Sequence, residues 1–229
     1  MTGPSFDFAE YRRWVTLTMF DVKVPDPKSP TGKKRRRKIP HSGIPASFKL
    51  AEGSFWLVMH VLFTSWYSVH YALSDEFLKY SFLRRYLRVL TPSNFRLWYL
   101  QPLGFSHRLK YYGVWQMAEG ACILSGIGFN GYNPDGSLRW DRVTNVSPMA
   151  FETAQNNKEL LEAWNQNTNK WLRNYVYLRV TPRGKKPGFR SAMATFTTSA
   201  VWHGFYPGYY LTFVSAGFIQ TCGKCKIVF

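Results

Sequence analysis

Acidic residues are scarce in this 229-residue chain, which contains 13 Asp and Glu against 30 Lys and Arg. The resulting formal net charge of +17 favours polyanionic neighbours, and both nucleic acid and anionic lipid headgroups fit that description. Composition by itself leaves both partners open. Aromatic residues make up 18% of the chain, which is high. The mean hydropathy of −0.26 is low for a protein with many membrane spans.

Cysteine is also rare, because the chain contains only Cys122, Cys222 and Cys225. Their odd number and irregular spacing exclude the disulfide framework of a small secreted protein. Cys222 and Cys225 form a C-x-x-C pair, but no second pair completes a zinc site, and we predict no metal. Residues 1–5 lack the basic and apolar regions of a signal peptide. We therefore expect any membrane-insertion signal to be an internal helix or to lie upstream.

Familiar catalytic motifs are missing as well. The sequence has no G-x-S-x-G elbow, no P-loop, no H-E-x-x-H zinc motif and no H-x-x-x-x-D acyltransferase box. These absences argue against the hydrolases, nucleotide-dependent enzymes and metalloproteases that such motifs define. Asn145-Val146-Ser147 is a nominal glycosylation sequon, but Pro148 follows it and the signal is weak.

Long uncharged runs, in contrast, are present and predict membrane helices. Residues 53–74 form a run of 22 residues, and at 1.5 Å per residue such a helix spans about 30 Å, the hydrocarbon thickness of a bilayer. Residues 191–223 form a run of 33 residues, with Pro207 and nearby glycines predicting a break near residue 205. Residues 111–131 are apolar except for Glu119, which we expect to face a polar interior. Buried helices of a large soluble protein are the alternative.

The remaining segments are more polar. We predict a short amphipathic helix within residues 1–22, and a loop over residues 23–46 because five prolines exclude regular helix or central strand. The basic run at residues 33–38 fits a solvated charge cluster, a cytosolic loop near anionic headgroups or a nuclear-localisation signal. Residues 77–110 predict irregular basic segments lying along a membrane surface, residues 137–150 a polar loop, and residues 151–180 a single helix.

Two groups of residues could carry chemistry. His203 alone among five histidines lies in a long uncharged stretch beside a predicted break. Burial among apolar neighbours keeps an imidazole neutral, as a general base requires, although a structural hydrogen-bonding histidine is the alternative. Upstream, Asn165, Thr168 and Asn169 have the i, i+3 and i+4 spacing of one helix face. They could bind a headgroup or orient a carbonyl, or simply form a solvated face.

Both groups resemble motifs of the membrane-bound O-acyltransferase family, and within it of the lysophospholipid acyltransferases, fungal members above all. Residues 199–210, SAVWHGFYPGYY, are similar to that branch's His motif, S-A-x-W-H-G-x-x-P-G-Y-Y. Residues 164–172 resemble its Asn motif, with Asn165 lying 38 residues before His203. Residues 3–14 are similar to the segment that opens the family's catalytic half. The resemblance covers residues 3–220.

The resemblance implies an all-α fold, a polytopic transmembrane helix bundle with amphipathic interfacial helices and a basic loop. This chain would be one partial catalytic domain, lacking further N-terminal and C-terminal helices. Its parts would be an interfacial segment (1–22), the Pro-rich basic loop (23–46), catalytic membrane helices (47–220) and an atypical tail (221–229).

The resemblance also implies an activity, the transfer of an acyl chain from acyl-CoA to the free hydroxyl of a lysophospholipid in the endoplasmic reticulum membrane. His203 would be the general base and Asn165 the second catalytic residue. No cofactor or metal is implied besides acyl-CoA as co-substrate, and the partners are membrane lipids rather than nucleic acid. We add five expected substrate contacts: Trp164, Thr168, Asn169, Trp202 and Tyr206.

Three alternatives stay open at this point. A member of the same family could use another acceptor, such as a sterol, a diacylglycerol or a protein. A basic nucleic-acid-binding protein would explain the positive charge and the interleaved aromatics. An inactive membrane fragment would keep the motifs without turnover.

Overall fold

The computed structural model describes residues 5–25, 33–36, 39–75, 77 and 92–223. These residues are mainly helical, which confirms the all-α prediction apart from one two-stranded ribbon and an isolated bridge between Tyr132 and Leu138. The chain divides into two compact units. The first contains Met1–Gly3 and Pro40–Gly126, and the second contains Pro4–Ile39 and Ile127–Phe229.

The first unit is built on two long helices that pack against each other. Its helices are α2 (Gly43–Trp66), α3 (Val69–Ala72) and α4 (Pro92–Leu124). The uncharged run at 53–74 is therefore not one helix, because the chain is extended at Tyr67 between α2 and α3. Ser68 explains this break. Its hydroxyl accepts a hydrogen bond from the backbone N–H of His70 at 3.1 Å, and its own N–H donates to the Tyr99 hydroxyl at 3.0 Å.

Glycines bring α2 and α4 close together. A Cβ atom at Gly53 would lie 2.6 Å from the Cγ atom of Met117, and one at Gly113 would lie 2.5 Å from the Cγ atom of Leu57. A Cβ atom at Gly120 would lie 3.2 Å from a backbone oxygen of α2. Small residues that allow such close approach are typical of paired helices in membranes.

Polar side chains lie within the same interface. Lys49 Nζ donates to Gln116 Oε1 at 2.8 Å and lies 3.7 Å from an oxygen of Glu119, a residue that is only 2% exposed. The Gln116 amide in turn donates to Glu52 at 3.0 Å. Nearer the C-terminal end of α2, His60 Nδ1 lies 2.8 Å from the carbonyl oxygen of Ser106. The expectation that Glu119 faces polar partners is confirmed.

The prediction for residues 77–110 is wrong from residue 92 onwards, because α4 is continuous through Pro102 and Tyr111. Helix α4 ends at Leu124, so residues 111–124 of the predicted span at 111–131 form the last part of a longer helix, and residues 125–131 lie beyond its end. Residues 78–91 of the same predicted segment lie outside the described residues. Among the helices of the described ranges, none combines the length and the apolar character required to cross a bilayer.

The second unit begins with α1 (Phe8–Val15), which confirms the short helix predicted within residues 1–22. A 3₁₀ turn over Thr18–Phe20 follows it. Met19 and Phe20 are buried with Phe129, and Trp140 packs against this group. This cluster is one core of the second unit.

The proline-rich segment is not a loop throughout. Strand β1 (Val22–Pro25) pairs antiparallel with β2 (Lys33–Arg36), with Val22 opposite Arg36. The prolines excluded a central strand, but in a two-stranded ribbon each strand has a free edge that needs no N–H donor. The loop also ends earlier than expected, because α2 begins at Gly43.

The predicted single helix over residues 151–180 is wrong, because four short helices and a π-helical turn occupy this region. The main interruption is Asn165, which has a φ of 46° and a ψ of 48°, in the left-handed region. The elements are α5 (Pro148–Glu152), α6 (Asn157–Ala163), α7 (Gln166–Leu172), a π-turn (Arg173–Tyr177) and α8 (Leu178–Val180).

The predicted break near residue 205 is confirmed. Helix α9 (Phe189–His203) ends there, and α10 (Pro207–Cys222) begins after three intervening residues. The two helices pack against each other, with the rings of Phe189 and Phe218 5.6 Å apart. A proline at the first position of α10 suits this start, because its missing N–H has no partner within a helix in any case.

Candidate active site

His203 is the last residue of α9, and its imidazole packs against aromatic rings of α10. The ring centroids of His203 and Phe213 are 4.7 Å apart, and those of His203 and Tyr209 are 5.5 Å apart. The side chain is nevertheless exposed in this chain. The expectation of a buried imidazole is therefore wrong for the described residues. The neighbouring side chains are apolar, but they also point outward, with Phe205 85% exposed.

Gly204 gives the His motif its shape. Its φ of 117° and ψ of −173° lie in a region that residues with a side chain rarely adopt, so glycine is required directly after the histidine. This turn ends α9 at His203, and Pro207 then starts α10. The glycine and the proline of the motif thus place His203 at the C-terminal end of α9, directly before the break.

Asn165 precedes α7 instead of lying inside a helix. Its backbone oxygen accepts from the N–H of Asn169 at 3.0 Å, whereas its side chain makes no capping hydrogen bond. The predicted shared helix face of Asn165, Thr168 and Asn169 is therefore wrong, because the helix begins one residue later. Asparagine tolerates left-handed backbone better than most residues. The half-buried Asn165 carboxamide is left available for another partner.

A pair of tryptophans brings the two motif segments together. The rings of Trp171, at the end of α7, and Trp202, beside the histidine, have centroids 5.4 Å apart. Asn165 lies at the opposite end of α7 from Trp171. Within the described part of the chain, no hydrogen bond or ring contact joins Asn165 to His203 directly. The structure therefore brings the segments into contact, but through their aromatic side chains.

The other expected substrate contacts have different surroundings. Trp164 packs against Phe151, with centroids 5.0 Å apart, and Asn169 donates to the carbonyl oxygen of Leu161 at 3.2 Å. Thr168 is half-buried. Trp202 and Tyr206 are 45% and 78% exposed beside the histidine. Trp202 and Tyr206 therefore belong to the surface around the imidazole, whereas Trp164 and Asn169 contact the α5–α6 region.

Sequence reasoning missed the residues that hold the Asn motif in place. Asn167 is buried and donates to the carbonyl oxygens of Val143 and Thr144 at 2.9 and 3.1 Å. Asn145, also buried, accepts from the N–H of Asn167 at 3.2 Å and from that of Gln166 at 2.8 Å. These bonds fix the first turn of α7. The only indication of these residues in the sequence was the nominal sequon at Asn145. In the structure, the Asn145 side chain instead accepts the hydrogen bond from Asn167 described above.

Comparison with known proteins identifies the family of this chain. Residues 1–227 match the model of the MBOAT, membrane-bound O-acyltransferase family, and the chain belongs to that family. It is 48% identical over 229 residues to a lysophospholipid acyltransferase of Saccharomyces cerevisiae, covering 98% of this chain and 35% of the relative. It is 46% identical over 224 residues to a lysophospholipid acyltransferase of Schizosaccharomyces pombe, covering 98% of this chain and 40% of the relative.

More distant relatives carry related names. Over 213 residues, the chain is 30% identical to lysophospholipid acyltransferase 5 of Homo sapiens, covering 93% of this chain and 38% of the relative. The resemblance predicted from the motifs is thus confirmed. The chain spans between 35% and 40% of the length of these three relatives.

Proposed function

We propose that this chain supplies the catalytic segment of an enzyme that transfers an acyl group from acyl-CoA to the free hydroxyl of a lysophospholipid. The observation that carries the proposal is the His motif at the break between α9 and α10, in contact with the Asn motif through Trp202 and Trp171. The names of both fungal relatives support the choice of acceptor.

His203 acts as the general base in this proposal. An unprotonated imidazole nitrogen accepts the hydroxyl proton while the hydroxyl oxygen attacks the thioester carbonyl. A carbon–oxygen bond forms, the carbon–sulfur bond breaks, and the imidazolium returns the proton to the departing thiolate. The exposure of His203 in this chain leaves the imidazole accessible to both substrates.

Asn165 serves as the second catalytic residue. Its carboxamide is not used to cap α7, so it is available to donate a hydrogen bond to the developing oxyanion. Losing one such donor typically lowers turnover about 10²–10³-fold. Trp202 and Tyr206 contact substrate next to the imidazole, and Trp164, Thr168 and Asn169 act around the asparagine.

We further propose that the chain is part of a polytopic helix bundle in the endoplasmic reticulum membrane. The acceptor then arrives from the bilayer, the acyl-CoA co-substrate arrives from the cytosol, and no metal, other cofactor or nucleic acid takes part. The large apolar side chains exposed near His203 in the sequence are Val201, Trp202, Phe205, Tyr206 and Leu211. Such a group of exposed apolar side chains supports an environment of lipid or protein around the histidine.

Substitution of the two catalytic residues tests this proposal in membranes that contain the intact protein. His203→Ala is expected to abolish transfer of labelled acyl groups to lysophospholipid, and Asn165→Ala to lower it about 10²–10³-fold. Membrane association is expected to stay unchanged in both variants. His41→Ala is the matched control, because His41 is an exposed histidine outside the motif. Full turnover in His203→Ala contradicts the assignment.

The acceptor is tested separately. The same membranes are supplied with labelled acyl-CoA and, in parallel, a lysophospholipid, a sterol, a diacylglycerol or a peptide. Lysophospholipid is expected to be the preferred acceptor. Preferential acylation of another acceptor keeps the family assignment but overturns the proposed substrate.

A further inference from the structure

A cavity in the second unit is lined by Trp171, whose ring contacts Trp202 of the histidine motif. Its volume is about 260 Å³, and His203 does not line it. The segment before α1 forms one wall and Arg142 forms another. One face of α7 and the following turn completes the lining with Asn167, Lys170, Trp171 and Asn174, at i, i+3, i+4 and i+7 spacing.

Both carboxylates that line this cavity have partners. The Asp7 carboxylate accepts a hydrogen bond from the Tyr175 hydroxyl at 3.0 Å. Glu10 accepts from the guanidinium of Arg142 at 3.1 Å. The same guanidinium donates to the carbonyl oxygen of Phe129 at 2.6 Å. The Glu10 charge is therefore paired with a cation, whereas the Asp7 carboxylate is hydrogen-bonded but keeps its negative charge.

Two cations of the lining, Lys170 and Arg173, have no partner of opposite charge among the described residues. Lys170 Nζ lies 3.4 Å from the neutral Oδ1 of Asn167. Within the ranges that the structure describes, neither Lys170 nor Arg173 forms an ion pair with a carboxylate. Ser5 adds a hydroxyl oxygen that is buried and has no hydrogen-bond partner among those residues. The three cations of the lining outnumber its two carboxylates, so the cavity presents excess positive charge together with an unused hydrogen-bonding group.

We propose that this cavity binds a phosphate group of a substrate through Lys170, Arg173 and Ser5. The inference rests on the proposed function, because lysophospholipids and acyl-CoA both carry phosphate esters. Phosphate oxygens accept strong hydrogen bonds from cations and hydroxyls. The volume is below the roughly 300–1,000 Å³ of pockets that enclose drug-sized ligands, so it suits one phosphate-bearing portion of a substrate.

The position of the cavity gives the bound phosphate a role in orientation. Trp171 lines the cavity and contacts Trp202, whose neighbour in the sequence is His203. A substrate anchored by its phosphate against Trp171 is therefore held next to the tryptophan pair that adjoins the imidazole. Lys170 and Arg173 are therefore positioning residues rather than catalytic ones.

Direct binding tests the site on the intact protein purified in detergent. The probes are coenzyme A, which represents the donor, and glycerophosphocholine, which represents the lipid headgroup. In Lys170→Gln/Arg173→Gln, the Kd of one probe is expected to rise about tenfold, because two partly screened charge contacts are lost. Lys185→Gln is the control. It removes a positive charge from an exposed residue that does not line the cavity, and it is expected to leave both Kd values unchanged.

The probe that responds identifies the source of the phosphate. A charge-preserving variant, Lys170→Arg/Arg173→Lys, is expected to bind within about threefold of wild type, which separates loss of charge from loss of folding. Unchanged Kd values in the double glutamine variant overturn the proposal, and so does a wild-type protein that binds neither probe.

Acyl transfer by the wild-type protein is measured in the same preparation. If the wild type transfers acyl groups but the double glutamine variant binds both probes as the wild type does, the phosphate site is contradicted and the proposed function stands. If the double variant binds a probe more weakly but the wild type transfers no acyl group, the proposed function is contradicted and the phosphate site stands. With both present, the KM of the substrate that corresponds to the responsive probe is expected to rise in the double variant while kcat changes less.

Discussion

Asparagine has two opposite uses at the start of α7. Asn165 takes the left-handed backbone conformation, and its carboxamide makes no capping hydrogen bond to α7. Two residues later, Asn167 is buried, and its carboxamide donates two hydrogen bonds to carbonyl oxygens of the 143–144 segment. A proposed catalytic group that is free to contact substrate thus lies beside a structural group that fixes the backbone.

Replacing the structural asparagine therefore has a measurable consequence. Asn167→Ala leaves the carbonyl oxygens of Val143 and Thr144 without their donor and is expected to destabilise the fold by about 1–3 kcal/mol. Thermal unfolding of the detergent-purified protein measures the change. Asn157→Ala, at an exposed asparagine of α6, is the control and is expected to have little effect. Equal melting temperatures for the two variants contradict the structural role of Asn167.

Gly204 permits a second prediction at this scale. An alanine there has to adopt a φ near 117°, a conformation that costs about 1–3 kcal/mol. We expect Gly204→Ala to lower stability by that amount and to reduce acyl transfer, because it displaces His203. Gly208→Ala is the matched control, since a Cβ atom at Gly208 meets nothing within 4 Å. Loss of activity in both variants, or in neither, contradicts the importance of the turn.

At the scale of elements, the α2–α4 pair depends on close approach of the two backbones. Gly53 and Gly113 face each other in this interface, where an added Cβ atom at either position meets the opposite helix at 2.5–2.6 Å. The ion pair of Lys49 and Glu119 lies in the same interface, with Glu119 almost fully buried. Shape and charge therefore both specify this pairing.

The glycine contact is tested by adding one methyl group. Gly113→Ala is expected to destabilise the first unit by about 1–3 kcal/mol, as overpacking of a closely packed interface does. The measurement is resistance to thermal unfolding in detergent. Gly104→Ala lies on the same helix, but its Cβ atom meets only the end of the flexible Arg108 side chain at 3.3 Å, so we expect no loss. Equal stability of the two variants contradicts the packing argument.

At the scale of the whole molecule, a net charge of +17 coexists with many exposed apolar side chains. Charge alone predicts a protein that adheres to polyanions, whereas the apolar surface predicts a protein that needs lipid or further helices. Membership of a membrane-bound family favours the second interpretation.

Extraction of the protein from membranes distinguishes these two interpretations. At 1 M salt the Debye length falls to about 3 Å, so purely electrostatic attachment is lost. We expect the protein to remain in the membrane pellet after a high-salt wash and to be released by detergent. A peripheral protein released from the same membranes by salt serves as the control. Release of this chain by salt contradicts its integration into the membrane.

The sequence by itself determined features that depend on local chemistry. Gly204 permits a backbone conformation that other residues rarely adopt, and Pro207 fixes its own φ, so the break after His203 was predictable. The motif at 199–210 was sufficient to indicate the family. Short-range proline rules were less reliable at residues 22–36, because an edge strand tolerates what a central strand does not.

Only the tertiary structure decided which side chains meet. The contact of Trp171 with Trp202, the buried bonds of Asn145 and Asn167, and the cavity beside α7 each join residues from different segments, and no periodicity encodes such contacts. The exposure of His203 belongs to the same category. An uncharged neighbourhood in sequence reports which residues are adjacent along the chain, whereas burial depends on what the rest of the fold places against them.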